Sequence, residues 1–187
     1  MMALRLAVFA GAVSMLAAGC GDQRAANKQA LEKALNRDYA LNADCLFAKP
    51  LPFPYELAVQ DKLLGQTRSK LDALVEAGLL SRVESVRGNQ VVNRYSMTAS
   101  GAQVEGKGRF CYGRRQVTSV ERFTKPVNYD GMPLTKVEYR FVLKNSAGWA
   151  KQDEVRNAFP DVAKSMQPSP IDEATLILTN DGWVLTY

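Results

Sequence analysis

Three cysteines carry most of the potential chemistry in this 187-residue chain: Cys20, Cys45 and Cys111. A thiol can act as a nucleophile, ligate a metal, carry an acyl group or join a disulfide. The chain contains no histidine, the side chain that most often transfers protons near neutral pH and a common zinc ligand. Catalysis by Ser-His-Asp or Cys-His, and any histidine-ligated metal centre, are therefore excluded.

The first 19 residues have the organisation of a secretory signal peptide. Arg5 supplies a positively charged start, an apolar run follows over 6–16, and small residues occupy 17–19. The apolar run is too short to cross a bilayer as a permanent helix. We therefore expect residues 1–19 to be removed on export, whether or not the cysteine that follows has a role.

The segment Leu16-Ala17-Ala18-Gly19-Cys20 resembles the lipobox of bacterial lipoproteins. The resemblance implies that the Cys20 thiol is diacylated, as by palmitate, and that cleavage makes Cys20 the mature N-terminus. Two or three acyl chains hold a protein stably at a membrane. Gly21, rather than aspartate, follows the cysteine, and the family's sorting rule then favours the outer membrane over the inner membrane.

Cys45 and Cys111 remain once Cys20 carries lipid. Two cysteines in an exported chain favour a disulfide, because the compartment is oxidising and two thiolates alone make a poor zinc site. Free thiols are the alternative. The disulfide would contribute about 4 kcal/mol by restricting the unfolded chain.

The carboxylates are spaced unfavourably for acid–base catalysis. Asp153 and Glu154 are adjacent on a predicted helix and so point in different directions. Asp172 and Glu173 precede or open a predicted strand. The sequence has no GxSxG, HExxH or phosphate-binding glycine motif. We therefore expect no enzymatic activity, no cofactor and no metal.

Seven basic residues could form a contact surface for an acidic protein face, an anionic glycan or lipid headgroups. Three belong to a predicted hairpin and four surround an aromatic segment at 110–112. They are Arg82, Arg87, Arg94, Lys107, Arg109, Arg114 and Arg115. The alternative is ordinary strand alternation, in which aromatic side chains enter the core and arginines face water.

The elements that position these residues begin after a polar tether over 20–26. Apolar residues with helical spacing predict a helix over 27–42. The apolar positions are Leu31, Ala34, Leu35 and Leu41. Three prolines at every second position then exclude helix and central strand, so the region 27–54 is predicted as a helix and an extended connector. Leu51 and Phe53 would pack this connector, and a proline-rich recognition ligand is the alternative.

The region 55–105 is predicted as two helices and a hairpin. The first helix would cover 56–64 and end at Gly65, and the second would begin at Ser69, which opens a capping box. Gly78 would end the second helix in a left-handed conformation. Strands at 80–86 and 91–97 would flank the turn. The expected buried face is Leu71, Leu74, Val75 and Leu79.

This order of helix, glycine and hairpin, followed by a Tyr95-x-x-Thr98-x-x-Gly101 segment, resembles a winged-helix module. The resemblance implies a DNA-binding helix and a basic wing. An exported, lipid-anchored protein does not meet the chromosome, and a fold does not determine a function. We therefore expect this module to contact protein rather than nucleic acid.

The region 106–187 is predicted as an antiparallel sheet of about four strands with a helix packed on it. Alternation is clearest over 134–143, and another strand over 110–123 is expected to break at Gly113. A helix over 149–159 would stop at Pro160, and a terminal hairpin would turn at 179–182. The whole chain is thus assigned to the α+β class.

These features predict a periplasmic, lipid-anchored envelope protein that acts by protein–protein interaction or by binding an anionic envelope polymer. The alternative is a cell-wall hydrolase or a small-ligand binder that uses a cleft between the 55–105 unit and the sheet. A glycan hydrolase would need two carboxylates at a defined separation across such a cleft.

Overall fold

The computed structural model describes residues 24–186, so the predicted leader, Cys20 and residues 21–23 of the tether lie outside the described residues. Within this range the chain forms five α-helices, nine β-strands and two sheets. The predicted α+β class is therefore confirmed. No helix between residues 24 and 186 is long and apolar enough to span a bilayer.

The bounds of the elements are as follows. The α-helices are α1 (Lys28–Leu41), α2 (Gly65–Glu76), α3 (Ala99–Gln103), α4 (Asp153–Ala158) and α5 (Pro160–Ser165), with short 3-10 helices at Lys62–Leu64 and Gly148–Lys151. The strands are β1 (Asp44–Cys45), β2 (Tyr55–Ala58), β3 (Leu80–Arg87), β4 (Gln90–Met97), β5 (Cys111–Phe123), β6 (Val127–Tyr129), β7 (Met132–Lys144), β8 (Ile171–Thr179) and β9 (Gly182–Thr186).

The larger sheet has six antiparallel strands, in the order β1-β5-β7-β8-β9 with β6 paired to β7. The prediction of about four strands missed β1 and β6, which have only two and three residues. Helix α1 contacts both β5 and β9, although β7 and β8 separate these strands. The sheet must therefore curve around α1, and two β-bulges in β5 favour that bend.

Helix α1 begins where the Asn27 side chain accepts a hydrogen bond from the Ala30 N–H at 2.9 Å. The predicted positions Leu31, Ala34 and Leu35 are buried against the sheet, together with Tyr39. The prediction for Leu41 was wrong, since its side chain is 79% exposed. Leu41 lies two residues after Tyr39 and so points about 200° away from it around the helix.

Two side chains of α1 form hydrogen bonds with backbone groups of β5 and β9. The Asn36 amide donates to the Val117 carbonyl at 3.1 Å and accepts from the Val117 N–H at 2.8 Å. On the other side, Arg37 donates to the Trp183 carbonyl at 2.8 Å. Helix α1 therefore covers backbone groups of β5 and β9 that another strand could otherwise bind.

The small sheet has the order β2-β4-β3 and packs with α2. The predicted helix over 56–64 was wrong, because Tyr55–Ala58 instead pairs with β4 as strand β2. The predicted capping box was also wrong, since α2 already begins at Gly65. The hairpin is confirmed, with Arg87 opposite Gln90. Gly78 ends the second helix at φ +73°, as predicted.

The segment from Tyr95 to Gly101 joins the hairpin to α2. The Tyr95 hydroxyl donates to Asp72 of α2 at 2.8 Å. The Thr98 side chain caps α3 by accepting from the Gly101 N–H at 3.0 Å, and its hydroxyl lies 3.0 Å from the Leu79 carbonyl oxygen. A Cβ at Gly101 would lie 2.0 Å from that same oxygen, so only glycine fits this close approach.

The helix packed on the larger sheet is α1, and not the predicted helix over 149–159. That segment forms a 3-10 turn and α4, and α4 contacts α2 of the small unit. Pro160 occupies the first turn of α5, where a proline needs no N–H partner. The break predicted at Gly113 was wrong, because β5 is continuous there and a Cβ would approach the Leu143 side chain to 2.8 Å.

Two hydrophobic cores result. One lies between α1 and the larger sheet and includes Tyr39, Tyr139 and Phe141. The other lies among α2, the small sheet, α4 and α5, and it also receives Leu51 and Phe53 from the proline-containing connector. The expected packing of these two connector residues is thus confirmed.

Candidate functional site

Cys45 and Cys111 are directly opposite each other on β1 and β5 and form a disulfide, with a Cα–Cα distance of 3.7 Å. This agrees with the pairing expected for an exported chain. The bond encloses the whole 55–105 unit in its loop and ties the end of α1 to the start of the larger sheet. A Cβ at Gly106 would lie 2.4 Å from the Cys111 sulfur, so the loop before β5 depends on this glycine.

The three basic residues of the β3–β4 hairpin do not share one face. Arg82 lies on the side of α2, where it pairs with Asp72 at 2.7 Å. Arg87 and Arg94 lie on the opposite face and approach Glu56 of β2 to 2.9 Å and 4.0 Å. Each of these arginines is already close to a carboxylate of its own chain, and the contact surface expected here is divided between two faces.

The basic residues near the disulfide are also engaged within the chain. Arg109 donates to the Phe47 carbonyl at 3.3 Å, and Arg114 forms a surface ion pair with Glu105. Lys107 is exposed, in a loop with φ +46°. Arg109 therefore has a backbone role, and Lys107 and Arg114 remain at the surface.

Arg115 is mostly buried, with only 16% of its side chain exposed. Its Nε donates to both oxygens of Asp44 at 3.0 and 3.1 Å. Its Nη1 donates to Asp172 at 2.5 Å and to the Tyr139 hydroxyl at 3.0 Å. The guanidinium also lies 4.6 Å from the ring centroid of Phe141. The charge of Arg115 is therefore paired with carboxylates inside the fold, and only a small part of its side chain reaches the surface.

Two further side chains complete this group, which we call the Arg115 cluster: Arg115, Asp44, Asp172, Tyr139, Tyr39 and Lys164. The hydroxyls of Tyr39 and Tyr139 lie 2.6 Å apart. Lys164 donates to Asp172 at 3.0 Å. Two cations thus face two carboxylates, and the cluster is neutral as a whole.

The electrostatics of the Arg115 cluster follow from burial and from these bonds. Burial is the largest single effect and disfavours the charged guanidinium, but Asp44, Tyr139, Asp172 and Tyr39 together outweigh it and raise the pKa of Arg115. Burial raises the pKa of Asp44, with partial opposition from Arg115. Burial also acts on Asp172, yet the hydrogen bonds from Lys164 and Arg115 hold its pKa below the usual value. Burial raises the pKa of Tyr39.

A surface cavity of about 370 Å³ opens beside the Arg115 cluster, between the end of α1 and strands β7, β8 and β9. Tyr39, Arg115 and Tyr139 form part of its wall, and Lys136 and Glu173 line it from the sheet. Because Arg115 is already paired with Asp44 and Asp172, the other charged groups of the lining are one cation, Lys136, and one carboxylate, Glu173. The cavity therefore suits a small polar group.

A second cavity of about 400 Å³ lies between the end of β7 and the loop after α5. Its floor includes Leu143 and Met166, and Lys151 and Arg156 stand at its wall. These two cavities, and two smaller ones, are lined by residues of α1 or of the chain after Cys111. None of these four cavities is lined by residues of the 55–105 unit, so none lies in the cleft expected between that unit and the sheet.

The acids, bases and phenols of the Arg115 cluster bind one another, so each is committed to a partner. Across residues 24–186, no three histidine, cysteine, aspartate or glutamate side chains are grouped to hold a metal. Sequence reasoning missed the cluster because its charged members lie at positions 44, 115, 164 and 172, in spacings that match no local pattern.

Comparison with known proteins does not assign a function. No protein-family model matches the chain. Comparisons with curated proteins and with solved structures likewise give no match.

Proposed function

We propose that this chain is a lipid-anchored protein of the bacterial envelope that acts by binding another envelope component, and that it performs no catalysis. The observation that carries the proposal is the Cys45–Cys111 disulfide in a chain whose leader resembles a lipobox. Disulfides of this kind persist in oxidising compartments such as the periplasm. The leader and the bond thus point independently to export.

The state of the polar groups supports binding over catalysis. A catalytic acid or base needs a free proton position within reach of a substrate. In the Arg115 cluster, Asp44 and Asp172 accept from Arg115, and Tyr39 and Tyr139 bond to each other. The adjacent cavity, with the exposed Lys136 in its wall, offers a hydrogen-bond donor and positive charge to a partner. We infer that an anionic group of an envelope protein or polymer binds there.

The contacts of α2 support the proposal that the partner is not nucleic acid. In a DNA-binding winged helix the second helix presents basic residues to the groove. Here Arg68 donates to the backbone carbonyls of Ala58 and Asp61 at 2.9 and 3.2 Å. The Lys70 ammonium lies 5.6 Å from the ring centroid of Phe159. The winged-helix interpretation of 55–105 is therefore kept as a proposal about architecture, with protein contact as its role.

The anchor is tested by expressing the full chain in bacteria and separating membranes by a carbonate wash. We expect the wild-type chain in the membrane pellet and Cys20→Ala in the supernatant, since Cys20 would carry the lipid. Cys45→Ala is the matched control, because it removes a cysteine without touching the leader and should stay in the pellet. If Cys20→Ala also stays in the washed pellet, the lipid anchor is wrong.

A further inference from the structure

Strand β3 is one of the two edge strands of the small sheet, and it is twice as long as the other, β2. The order is β2-β4-β3, and within residues 24–186 no strand pairs with the outer side of β3. The Thr98 N–H donates to the Leu79 carbonyl at 3.1 Å, which fixes the alternation: odd-numbered residues of β3 bond to β4. The N–H and C=O groups of Arg82, Glu84 and Val86 therefore point away from the sheet.

An open strand edge of this length is a template for pairing with another chain. The edge spans eight residues without proline, and Val83 and Val86 are 62% and 71% exposed. The larger sheet differs, because Asn36 and Arg37 of α1 donate hydrogen bonds to backbone carbonyls of β5 and β9. The edge of β3 has no such cover in the described chain.

We propose that two copies of this protein pair through β3, antiparallel and edge to edge, around a two-fold axis at Val83. The two small sheets then become one six-stranded sheet in the order β2-β4-β3-β3-β4-β2. In this register Val83 faces Val83 of the second copy, and Val86 lies opposite Leu80. An antiparallel pair of identical strands has this symmetry, and a two-fold dimer is the commonest form of homo-oligomer.

The charges on β3 select this register from the alternatives. Pairing must join outward-pointing groups to outward-pointing groups, so the two-fold axis must pass through a residue of β3 and not between two. An axis at Arg82 or at Glu84 places like charges directly opposite each other, which is destabilising. An axis at Val83 places Arg82 opposite Glu84 of the second copy, twice, and leaves no outward group between Leu80 and Val86 unpaired.

The charged side chains of β3, Arg82 and Glu84, are also placed so that they can form this contact. Arg82 is held in place by Asp72 of its own chain at 2.7 Å, so its position is defined before the copies meet. Glu84 is exposed and forms no ion pair within residues 24–186. Pairing through β3 gives Glu84 an opposite charge and covers both exposed valines. The proposal does not depend on the lipid anchor.

Cysteine cross-linking of the full-length chain, purified in mild detergent, reads the register directly. In the proposed dimer the two Val83 Cα atoms lie about 4.5 Å apart, a distance that a disulfide can bridge. We expect Val83→Cys to give a covalent dimer on mild oxidation. Ser85→Cys is the matched control, because the two copies of residue 85 lie roughly 14 Å apart in this register and should not cross-link. The wild-type chain, with the same native cysteines, sets the background.

Charge variants test the same register by an independent measurement, the dimer dissociation constant from sedimentation. Glu84→Arg and Arg82→Glu should each weaken self-association at least tenfold, since each places like charges opposite. Mixed in equal amounts, the two variants should form a heterodimer as tight as the wild-type dimer, because both pairs are again of opposite sign. Glu154→Arg, an exposed reversal on α4, should leave the constant unchanged. A monomeric Val83→Cys chain, equal cross-linking at position 85, or a failure of the mixture to associate would overturn the proposal.

Discussion

At the scale of single residues, Arg115 lies at the centre of a cluster of polar side chains. It joins Asp44 of β1 to Asp172 of β8 across the larger sheet, and it lies over the ring of Phe141. Charges at this depth are stable only when they are paired and hydrogen-bonded. The neighbouring Arg114 has the same charge and belongs to the same strand, but it pairs with Glu105 at the surface. Adjacent arginines thus have different structural roles.

This difference predicts unequal costs of substitution. We expect Arg115→Leu to lower the free energy of unfolding by about 3–5 kcal/mol, because it leaves Asp44 without a cation and Asp172 with Lys164 alone. Arg114→Leu is the matched control and should cost no more than about 1 kcal/mol, since its ion pair is exposed to solvent. Urea unfolding of both variants followed by circular dichroism measures the two values. Equal losses would show that the Arg115 cluster does not act as a buried network.

At the scale of elements, the small unit depends on how α2 meets the hairpin. The helix ends at Gly78, where the Leu79 N–H reaches back to the Leu74 carbonyl at 2.9 Å. The Leu79 carbonyl then lies against α3 at Gly101, with the Thr98 hydroxyl 3.0 Å away. The end of α2, the Leu79 backbone and the start of α3 therefore meet at one point. Thr98 and Gly101 are three residues apart because both contact the Leu79 carbonyl oxygen there.

Substitution of two glycines tests this convergence. Gly101→Ala should lower the free energy of unfolding by about 1–3 kcal/mol, because its Cβ meets a backbone oxygen that cannot rotate away. Gly65→Ala is the control: nothing lies within 4 Å of a Cβ there. At the start of α2 it should be neutral or stabilising by up to about 1 kcal/mol. Thermal or urea unfolding distinguishes the two, and a neutral Gly101→Ala would contradict the close packing of α3 on Leu79.

At the scale of the whole molecule, buried tyrosine side chains in both cores make the free energy of unfolding depend on pH. Burial is the main cause that raises the pKa of Tyr39 and Tyr139 in the first core and of Tyr112 in the second. Burial, together with the hydrogen bond to Asp72, raises the pKa of Tyr95 to about 12. The folded state therefore holds these protons more tightly than the unfolded chain, in which tyrosine loses its proton near pH 10.

The sign of the pH dependence follows. These phenols contribute stability that is complete below about pH 10 and is lost as the pH rises from there towards 12. We expect the free energy of unfolding to fall over this window, and Tyr95→Phe should flatten the slope by less than about 1.4 kcal/mol per pH unit. Tyr129→Phe, at a side chain that is 68% exposed, should keep the wild-type slope. Urea titrations at several pH values between 9 and 12 measure it, and an unchanged slope in Tyr95→Phe would contradict the burial of that phenol.

Features set by local sequence were predictable. The spacing of Leu31, Ala34 and Leu35 predicted α1, and the Gly88-Asn89 turn predicted the β3–β4 hairpin in its observed register. Such features depend on residues a few positions apart, so propensity and periodicity are enough. The Cys45–Cys111 pair also followed from the sequence, because only two cysteines remain after Cys20.

The remaining features depended on partners distant in the chain. Tyr55–Ala58 became a strand because β4 offered it an edge, and α4 packed on α2 rather than on the sheet. The sequence by itself determined α1, the β3–β4 hairpin, the α+β class and the expectation of export. Only the tertiary structure decided that Arg115 is buried between Asp44 and Asp172, and that β3 is left with an open edge. Burial and pairing are properties of the assembled fold, since they arise where segments distant in the chain meet, and no local pattern encodes which segments those are.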